Sequence, residues 1–290
     1  MVCLIIDIFD KKMRYTIASL IIMSTLFLGG CSSKKIKDTT YLTTSIAKET
    51  SLPKLNIFVP KNIKEDAAVL IFVHGGNWNS GNKDTYNLLG RNFAKKGVIT
   101  VIPDYTLSPA VSYDEMTKEV AAAIKWTQKN ISQYKGNPKQ LFITGHSAGG
   151  HLAALAVMNP KYGIDPKSIS GIILNDAAGL DMKNYLEENP PTVKEDYLAT
   201  WTNSPENWKD ASPIYFLDKN TPPFLIYLGD KTYSSIITAN NRFLEALKPL
   251  QPEVNLIHLN KKHVPMVTQY FWPCSNRFDE VINFIDKNKK

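Results

Sequence analysis

The serine at position 147 stands in a setting that suits a nucleophile. It occupies the centre of Gly145-His146-Ser147-Ala148-Gly149, between an apolar run and a small-residue stretch that predict a buried strand and a helix. A nucleophile on a tight strand-to-helix turn adopts strained backbone angles, so its neighbours two positions away must lack bulk. The turn exposes the hydroxyl and leaves the Ala148 N–H at the positive end of the helix. The pattern predicts acyl transfer through a covalent intermediate, and an incidental serine in a glycine-rich turn is the alternative.

A second glycine-containing turn offers the hydrogen-bond donors that acyl transfer needs. Upstream of the serine, the apolar run VLIFV ends in HGGNW at 74–78. Glycine lets the backbone approach a developing oxyanion closely, so the N–H groups of Gly76, Asn77 and Ala148 are predicted to form an oxyanion hole. A plain strand-end turn is the alternative interpretation, and His74 is interpreted as a residue that braces this loop.

Five histidines are candidates for the base that activates the serine. His74, His146 and His151 lie within or beside the two glycine-rich turns. His258 lies inside the predicted strand VNLIHLN, whereas His263 follows that strand in NKKHVPM. A side chain just past a strand can reach the carboxyl edge of the sheet, where ligands bind in open α/β sheets. His263 is therefore the predicted general base, with His258 as the alternative.

Together these motifs resemble the α/β-hydrolases, and in particular esterases with an HGG-type oxyanion loop. The chain is similar to hormone-sensitive-lipase-like, feruloyl-esterase-like and kynurenine-formamidase-like enzymes. The resemblance extends from about residue 53 to the C-terminus and is carried by HGGNW, PDYTLSP, GHSAGGHLA, PPFLIYLGD and KKHVPM. It implies a serine–acid–histidine triad, a small-molecule ester substrate, and no metal or organic cofactor.

The resemblance leaves the acid of this triad open. In the family the acid follows the penultimate strand, commonly three residues after its glycine, and Thr232 occupies that place here. A threonine cannot stabilise an imidazolium as a carboxylate does. Asp230, directly after Gly229, is the predicted acid, and Asp176 and Asp181 after the preceding strand are the alternatives.

The predicted elements would bring these residues to one edge of a sheet. Continuous apolar strands between amphipathic helices predict a mostly parallel sheet flanked by helices, hence an α/β-hydrolase fold over 53–290. The predicted strands are 55–60, 67–74, 98–104, 140–145, 169–175, 223–229 and 254–259. The predicted helices are 84–96, 113–130, 148–158, 236–249 and 268–287.

Residues 181–215 interrupt this alternation of strands and helices. The segment contains four prolines together with three tyrosines and two tryptophans. A long excursion of this kind is either a lid over a site or an irregular structural insert. We expect a lid-like insertion, because aromatic side chains in a loop need a surface to cover.

The N-terminus resembles a bacterial lipoprotein signal peptide over residues 1–30. A basic segment containing Met13 precedes an apolar stretch and then Leu-Gly-Gly-Cys, which ends at Cys31. Met13 is a better start than Met1 for such a signal. The resemblance implies lipidation of Cys31, and the polar residues 31–52 are predicted to tether the domain to a bacterial membrane outside the cytoplasm. A single N-terminal membrane anchor is the alternative.

Composition restricts the remaining function classes. The chain has 290 residues, 43% of them hydrophobic, and a net charge of +7 that is carried by scattered lysines. No basic block interleaves with aromatic residues, so nucleic-acid binding is not expected. The predicted activity is hydrolysis of small acyl or aryl esters, with carbohydrate-linked esters among the candidates. An arylformamidase-like amide hydrolase and a non-catalytic surface binding lipoprotein are the alternatives, and no particular oligomeric state is predicted.

Overall fold

Eight strands form one sheet in a computed structural model that describes residues 33–42, 52–63 and 66–290. The sheet order is β1-β2-β4-β3-β5-β6-β7-β8. β2 runs antiparallel to β1 and β4, and the pairs from β4 to β8 are parallel. In chain order the strands are β1 (Ser33–Thr40), β2 (Lys54–Pro60), β3 (Ala67–Val73), β4 (Ile99–Pro103), β5 (Gly136–His146), β6 (Gly171–Asn175), β7 (Phe224–Lys231) and β8 (Leu256–Lys262).

Helices cover both faces of this sheet. In chain order they are α1 (Asn87–Lys95), α2 (Tyr113–Asn130), α3 (Ala148–Met158), α4 (Met182–Glu188), α5 (Tyr197–Trp201), α6 (Pro205–Asp210), α7 (Ser234–Leu247), α8 (His263–Thr268) and α9 (Arg277–Lys287). One apolar cluster joins α2, α3 and α7 to the sheet, and a second joins α1 and α9 to it. The predicted mostly parallel α/β architecture is confirmed, and within the described residues no helix has the length and apolar character to cross a bilayer.

The strand β1 differs from the predicted polar tether. Residues 33–40, which lie within the predicted tether 31–52, pair with β2 along the edge of the sheet. An edge strand can be held by backbone hydrogen bonds without an apolar side-chain pattern. Here ion pairs also support it, because Lys35 binds Asp84 at 2.7 Å and Asp38 binds Lys83 at 3.0 Å. The predicted signal peptide 1–30 and Cys31 lie outside the described residues.

The predicted helix 268–287 is divided in the structure. α8 ends at Thr268, a short 3-10 turn follows over Gln269–Phe271, and α9 begins at Arg277. Pro273 lies in the interruption, and proline breaks a helix because it lacks an N–H donor and its ring clashes with the preceding turn. The break leaves α8 as a separate short helix directly after β8.

The predicted insertion 181–215 follows the sixth strand, contains α4, α5 and α6, and is packed against the domain. Trp201 is fully buried, stacks on Tyr113 with ring centroids 5.3 Å apart, and contacts Trp78 edge-on at 4.7 Å. Tyr185 and Tyr197 instead face the main cavity of the domain. The insertion therefore has a buried base and a cavity-facing side, and its role as a lid stays a prediction.

Candidate active site

Ser147 occupies a strained turn between the central strand β5 and the helix α3. Its backbone angles are φ 55° and ψ −126°, a combination that an L-residue rarely adopts. The turn closes because its flanking positions lack side chains. A Cβ on Gly149 would lie 2.1 Å from the carbonyl oxygen of Val73, so the start of α3 passes too close to the end of β3 for any other residue.

His263 brings its imidazole to the hydroxyl of Ser147. It is the first residue of α8, so the end of β8 delivers it to the carboxyl edge of the sheet. Its Nε2 lies 2.9 Å from Ser147 Oγ, and its Nδ1 lies 2.5 Å from Asp176 Oδ2. A carboxylate only accepts hydrogen bonds, so Nδ1 carries the proton and Nε2 is left to accept the serine proton.

The carboxylate that contacts His263 belongs to Asp176, one of the two alternatives. Asp176 follows β6, has φ 53°, and is fully buried. Its Oδ1 accepts the N–H of Gly229 at 2.9 Å, and its Oδ2 accepts the hydroxyl of Thr232 at 2.5 Å as well as the imidazole N–H. Three donors satisfy and orient this buried carboxylate.

Asp230, the predicted acid, is not in contact with His263, and that prediction is wrong. β7 continues to Lys231, two residues beyond the predicted end at Gly229, so Asp230 is still within the strand and is exposed. Its Oδ1 pairs with Nδ1 of His258 on the neighbouring strand at 3.0 Å. The chain leaves the strand only at Thr232, whose side chain reaches the imidazole instead.

Asp181, the other alternative, has a structural contact pattern. It caps α4 by accepting the N–H of Asn184 at 3.2 Å, and it pairs with Arg242 Nε at 2.7 Å. Its side chain is almost completely buried and borders the cavity, and within the described part of the chain it makes no hydrogen bond to His263. Of the three candidate acids, Asp176 therefore bonds the imidazole of His263, whereas Asp230 and Asp181 bond other residues.

His146 contacts both the backbone and the ring of His263. Its Nε2 donates to the backbone carbonyl of His263 at 3.0 Å, and the two ring centroids are 4.5 Å apart. Burial lowers the pKa of His146 to about 3, and the nearby His263 acts in the same direction. His146 is therefore neutral near pH 7 and acts as a fixed hydrogen-bond donor.

The predicted oxyanion loop lies against Ser147. A Cβ on Gly75 would be 3.2 Å from Ser147 Cβ, and Gly76 and Asn77 line the same cavity as the serine hydroxyl. Asn77 and Trp78 both adopt left-handed backbone angles, with φ 50° and 60°. Consecutive strained residues of this kind cluster at sites where backbone amides must point in a set direction. Ala148, the third predicted donor, begins α3 directly after the serine.

His151 links the oxyanion loop to the insertion. Its Nδ1 accepts the indole N–H of Trp78 at 3.1 Å, so its Nε2 carries the proton and donates to the carbonyl of Ala211 at 2.7 Å. Burial lowers the pKa of His151 to about 4, which keeps the ring neutral in this role. His74 has the predicted bracing role, because its Nδ1 bonds the carbonyl of Gly75 at 2.9 Å.

A cavity of about 700 Å³ opens onto the serine and the imidazole. Its walls combine backbone of the oxyanion loop, small side chains and hydroxyl groups with aromatic rings. The aromatic residues that line it are Tyr86, Tyr185, Tyr197, Tyr233, Phe271 and Trp78. A cavity of this size with few convergent polar groups is typical of a small-molecule site.

In the described part of the chain, one group of three side chains has the residue types and the spacing that can bind a metal ion. Ligand atoms of His146, Asp176 and His263 lie within 4.8 Å of one another. Each of these side chains is already engaged, since His146 donates to a carbonyl and His263 joins the carboxylate to the serine. The hydrogen-bond pattern therefore favours a proton relay over a metal site.

Two contributions to the site were missed from the sequence. The sequence indicates only that Thr232 is unsuited to be the acid, whereas its hydroxyl bonds Asp176 and lies 3.2 Å from His263 Nδ1. No sequence motif includes Tyr233, although its ring contacts that of His263. Thr232 and Tyr233 follow the predicted strand end at Gly229 within four residues, and this position at the carboxyl edge of the sheet is the signal that the sequence offers.

The sequence and the fold match known protein groups. The sequence model of the BD-FAE family matches residues 55–246. The esterase LipC of Mycobacterium tuberculosis is 30% identical over 196 residues, which are 63% of this chain and 48% of that protein. The chain spans about half the length of the curated relatives it matches first.

Solved structures share the whole fold. An esterase B from Lactobacillus rhamnosis superimposes with a TM-score of 0.71 at 18% identity, covering 96% of this chain and 94% of that one. A truncated carbohydrate esterase from gut microbiota superimposes with a TM-score of 0.69 at 21% identity, covering 87% of this chain and 97% of that one. At these identities the likeness is one of fold.

Proposed function

The chain belongs to the BD-FAE family, and we propose that it is a serine hydrolase that cleaves carboxylic esters through an acyl-enzyme. The observation that carries this proposal is the continuous hydrogen-bonded path from Ser147 through His263 to Asp176, with distances of 2.9 Å and 2.5 Å. The carboxylate of Asp176 follows β6, so a threonine at position 232 does not favour a non-catalytic binding protein.

In the first half-reaction, Ser147 Oγ attacks the ester carbonyl carbon while His263 Nε2 takes the hydroxyl proton. The C–O bond to the alcohol then breaks, and His263 returns the proton to the leaving oxygen. Asp176 holds the imidazole in the required tautomer and stabilises its positive form. The negative oxygen of the tetrahedral intermediate is held by N–H groups of Gly76, Asn77 and Ala148.

In the second half-reaction, water takes the place of the alcohol. His263 removes a proton from the water as it attacks the acyl carbon, and the collapsing intermediate releases the acid and restores the Ser147 hydroxyl. The same oxyanion donors serve both steps. No step requires a metal or an organic cofactor.

The preferred substrates are small acyl or aryl esters, including esters carried on carbohydrate. The cavity of about 700 Å³ holds a molecule of that size, and its aromatic and hydroxyl-bearing walls suit ring-containing esters. The shared fold with a carbohydrate esterase from gut microbiota agrees with this preference. The packed insertion 181–215 supplies one wall, and Tyr185 and Tyr197 cover the bound ester from that side.

The protein acts outside the cytoplasm, attached to a bacterial membrane through a lipid on Cys31. The support is the signal-like sequence of residues 1–30 that ends in Leu-Gly-Gly-Cys. β1 begins two residues after that cysteine, so the lipid would hold this edge of the sheet close to the membrane surface. Incorporation of labelled palmitate that disappears in Cys31→Ser tests the attachment, and equal incorporation in both proteins would contradict it.

Ester turnover tests the catalytic proposal. Wild-type protein should hydrolyse p-nitrophenyl acetate, and Ser147→Ala should lower kcat by about a million-fold, to the residual level that binding alone supports. Far-ultraviolet circular dichroism of both proteins provides the control for folding. Equal turnover by the folded variant would exclude Ser147 as the nucleophile, and turnover of N-formylkynurenine in preference to esters would favour the amide hydrolase.

A further inference from the structure

The ring of Tyr233 is held beside the catalytic imidazole and is open to the cavity. Tyr233 lies between β7 and α7, and its carbonyl accepts the N–H groups of Ile236 and Ile237 at 3.0 and 3.1 Å. Its ring centroid is 5.1 Å from that of His263, with the planes at 62°. The helix start therefore fixes the backbone of Tyr233, and the edge contact orients its ring.

Two exposed apolar side chains flank His263. Tyr233 is 63% exposed and Val264 is 60% exposed, and both line the cavity. Large apolar side chains left open at the mouth of a cavity indicate a surface that a ligand covers. Tyr233 and Val264 lie at the starts of α7 and α8, whereas Tyr185 and Tyr197 belong to the insertion.

The proton transfer from His263 to the leaving oxygen determines which part of the ester contacts Tyr233 and Val264. His263 Nε2 hands its proton to the leaving oxygen, so the alcohol must sit next to the imidazole when the C–O bond breaks. The carbonyl oxygen is turned toward the oxyanion loop at Gly76 and Asn77. The side chains that border the imidazole therefore contact the alcohol, while the acyl group lies elsewhere in the cavity.

We propose that Tyr233 is a binding platform for the leaving alcohol and that it selects alcohols with a flat ring close to the ester oxygen. The proposal rests on the proposed ester hydrolysis. An aromatic face and the C–H face of a sugar ring share the chemistry that stacks on tyrosine, whereas a short alkyl alcohol offers little surface to it. Ser235, which also lines the cavity, places a hydroxyl within two residues of the platform.

Three acetates isolate the alcohol side of the reaction: phenyl acetate, a mono-O-acetylated methyl xyloside, and ethyl acetate. All three give the same acetyl-enzyme, so an effect that differs among them arises where the alcohol binds. The value of kcat/KM is measured for wild type, Tyr233→Ala and Tyr233→Phe. Tyr215→Ala is the matched control, because Tyr215 is an exposed tyrosine outside the cavity lining. Ratios of variant to wild type cancel the intrinsic reactivity of each ester.

Tyr233→Ala should lower kcat/KM for one or both ring-bearing acetates by about 3- to 10-fold more than for ethyl acetate. Tyr233→Phe keeps the ring and should retain the wild-type preference for ring-bearing acetates, and Tyr215→Ala should resemble wild type. A loss confined to phenyl acetate identifies aromatic alcohols, and a loss confined to the xyloside identifies sugars.

Equal losses of kcat/KM on all three acetates in Tyr233→Ala, or no loss on any of them, would contradict the proposal that Tyr233 binds the leaving alcohol. A wild-type protein that hydrolyses none of the acetates would instead contradict the proposed function. The two failures are therefore distinguishable in one set of measurements.

Discussion

Thr232 Oγ1 lies 2.5 Å from Asp176 Oδ2, so a hydroxyl that follows β7 bonds a carboxylate that follows β6. Both side chains reach the Nδ1 edge of His263, at 3.2 Å and 2.5 Å. The resemblance to α/β-hydrolases places an acid at position 232, and here the neighbouring strand provides it. The two strand ends thus converge on one nitrogen, and either could deliver a carboxylate to it.

Replacing the carboxylate of Asp176 should nearly abolish turnover. Asp176→Asn keeps the shape of the side chain but no longer fixes the reactive tautomer of His263, and we expect kcat to fall by about ten-thousand-fold. The matched control is Asp230→Asn, which removes only an exposed contact to His258 and should stay close to wild type. The two variants are compared by their kcat for p-nitrophenyl acetate. A large loss in Asp230→Asn together with near wild-type activity in Asp176→Asn would identify Asp230 as the acid.

A carboxylate at position 232 should rescue the loss of Asp176. In Asp176→Asn/Thr232→Asp the new acid starts from a position whose side-chain atom is 3.2 Å from His263 Nδ1. We expect the double variant to regain at least about 100-fold of the lost kcat, because tautomer control by a carboxylate is restored. Thr232→Asp alone places two carboxylates together and should not raise activity above wild type. A double variant no more active than Asp176→Asn would show that position 232 does not serve the imidazole.

The position of the acid is the part of this site that the sequence did not predict correctly. The turn at Ser147 and the residue after the last strand follow from local patterns, and α2 and α3 begin and end at the predicted residues. The acid depends on where β7 stops, and two extra strand residues turn Asp230 away from the site. Element ends of this kind are set by pairing with neighbouring strands, which the local sequence does not encode.

In the fold, the edge strand β1 is likewise not predicted from the sequence. Residues 33–40 have no alternating apolar pattern, so the periodicity that predicts a half-buried strand is missing. Their pairing depends on the exposed edge of β2 and on distant partners such as Asp84 and Lys83. These contacts join residues far apart in the chain, so the local sequence of residues 33–40 predicts a polar tether and not a strand.

Stability should fall as the pH drops below the ordinary titration range of histidine. Burial lowers the pKa of His74, His146 and His151, to about 3 for His146 and to about 4 for His151. An unfolded histidine titrates near about 6.5, so below that pH the unfolded chain binds protons that the folded chain does not. The stabilisation is fully present above about pH 6.5 and is lost toward the folded pKa values, at about 1.4 kcal/mol per pH unit for each histidine.

Denaturant unfolding at pH 7.5, 6.5 and 5.5 measures this dependence as the free energy of unfolding. His151→Gln should reduce the slope below pH 6.5 by about one proton, provided that the variant folds. A free energy of unfolding that stays constant between pH 6.5 and 5.5 would contradict the assignment of these histidines as buried and neutral.

Covalent labelling tests the nucleophile most directly. A fluorophosphonate should add once to the wild-type chain, and peptide mass spectrometry should locate the phosphonyl group on Ser147, because His263 activates that hydroxyl alone. His263→Ala should slow the labelling by several orders of magnitude while the protein remains folded. A phosphonyl group on another residue, or labelling of folded His263→Ala at the wild-type rate, would contradict a nucleophile activated through the Ser147–His263–Asp176 path.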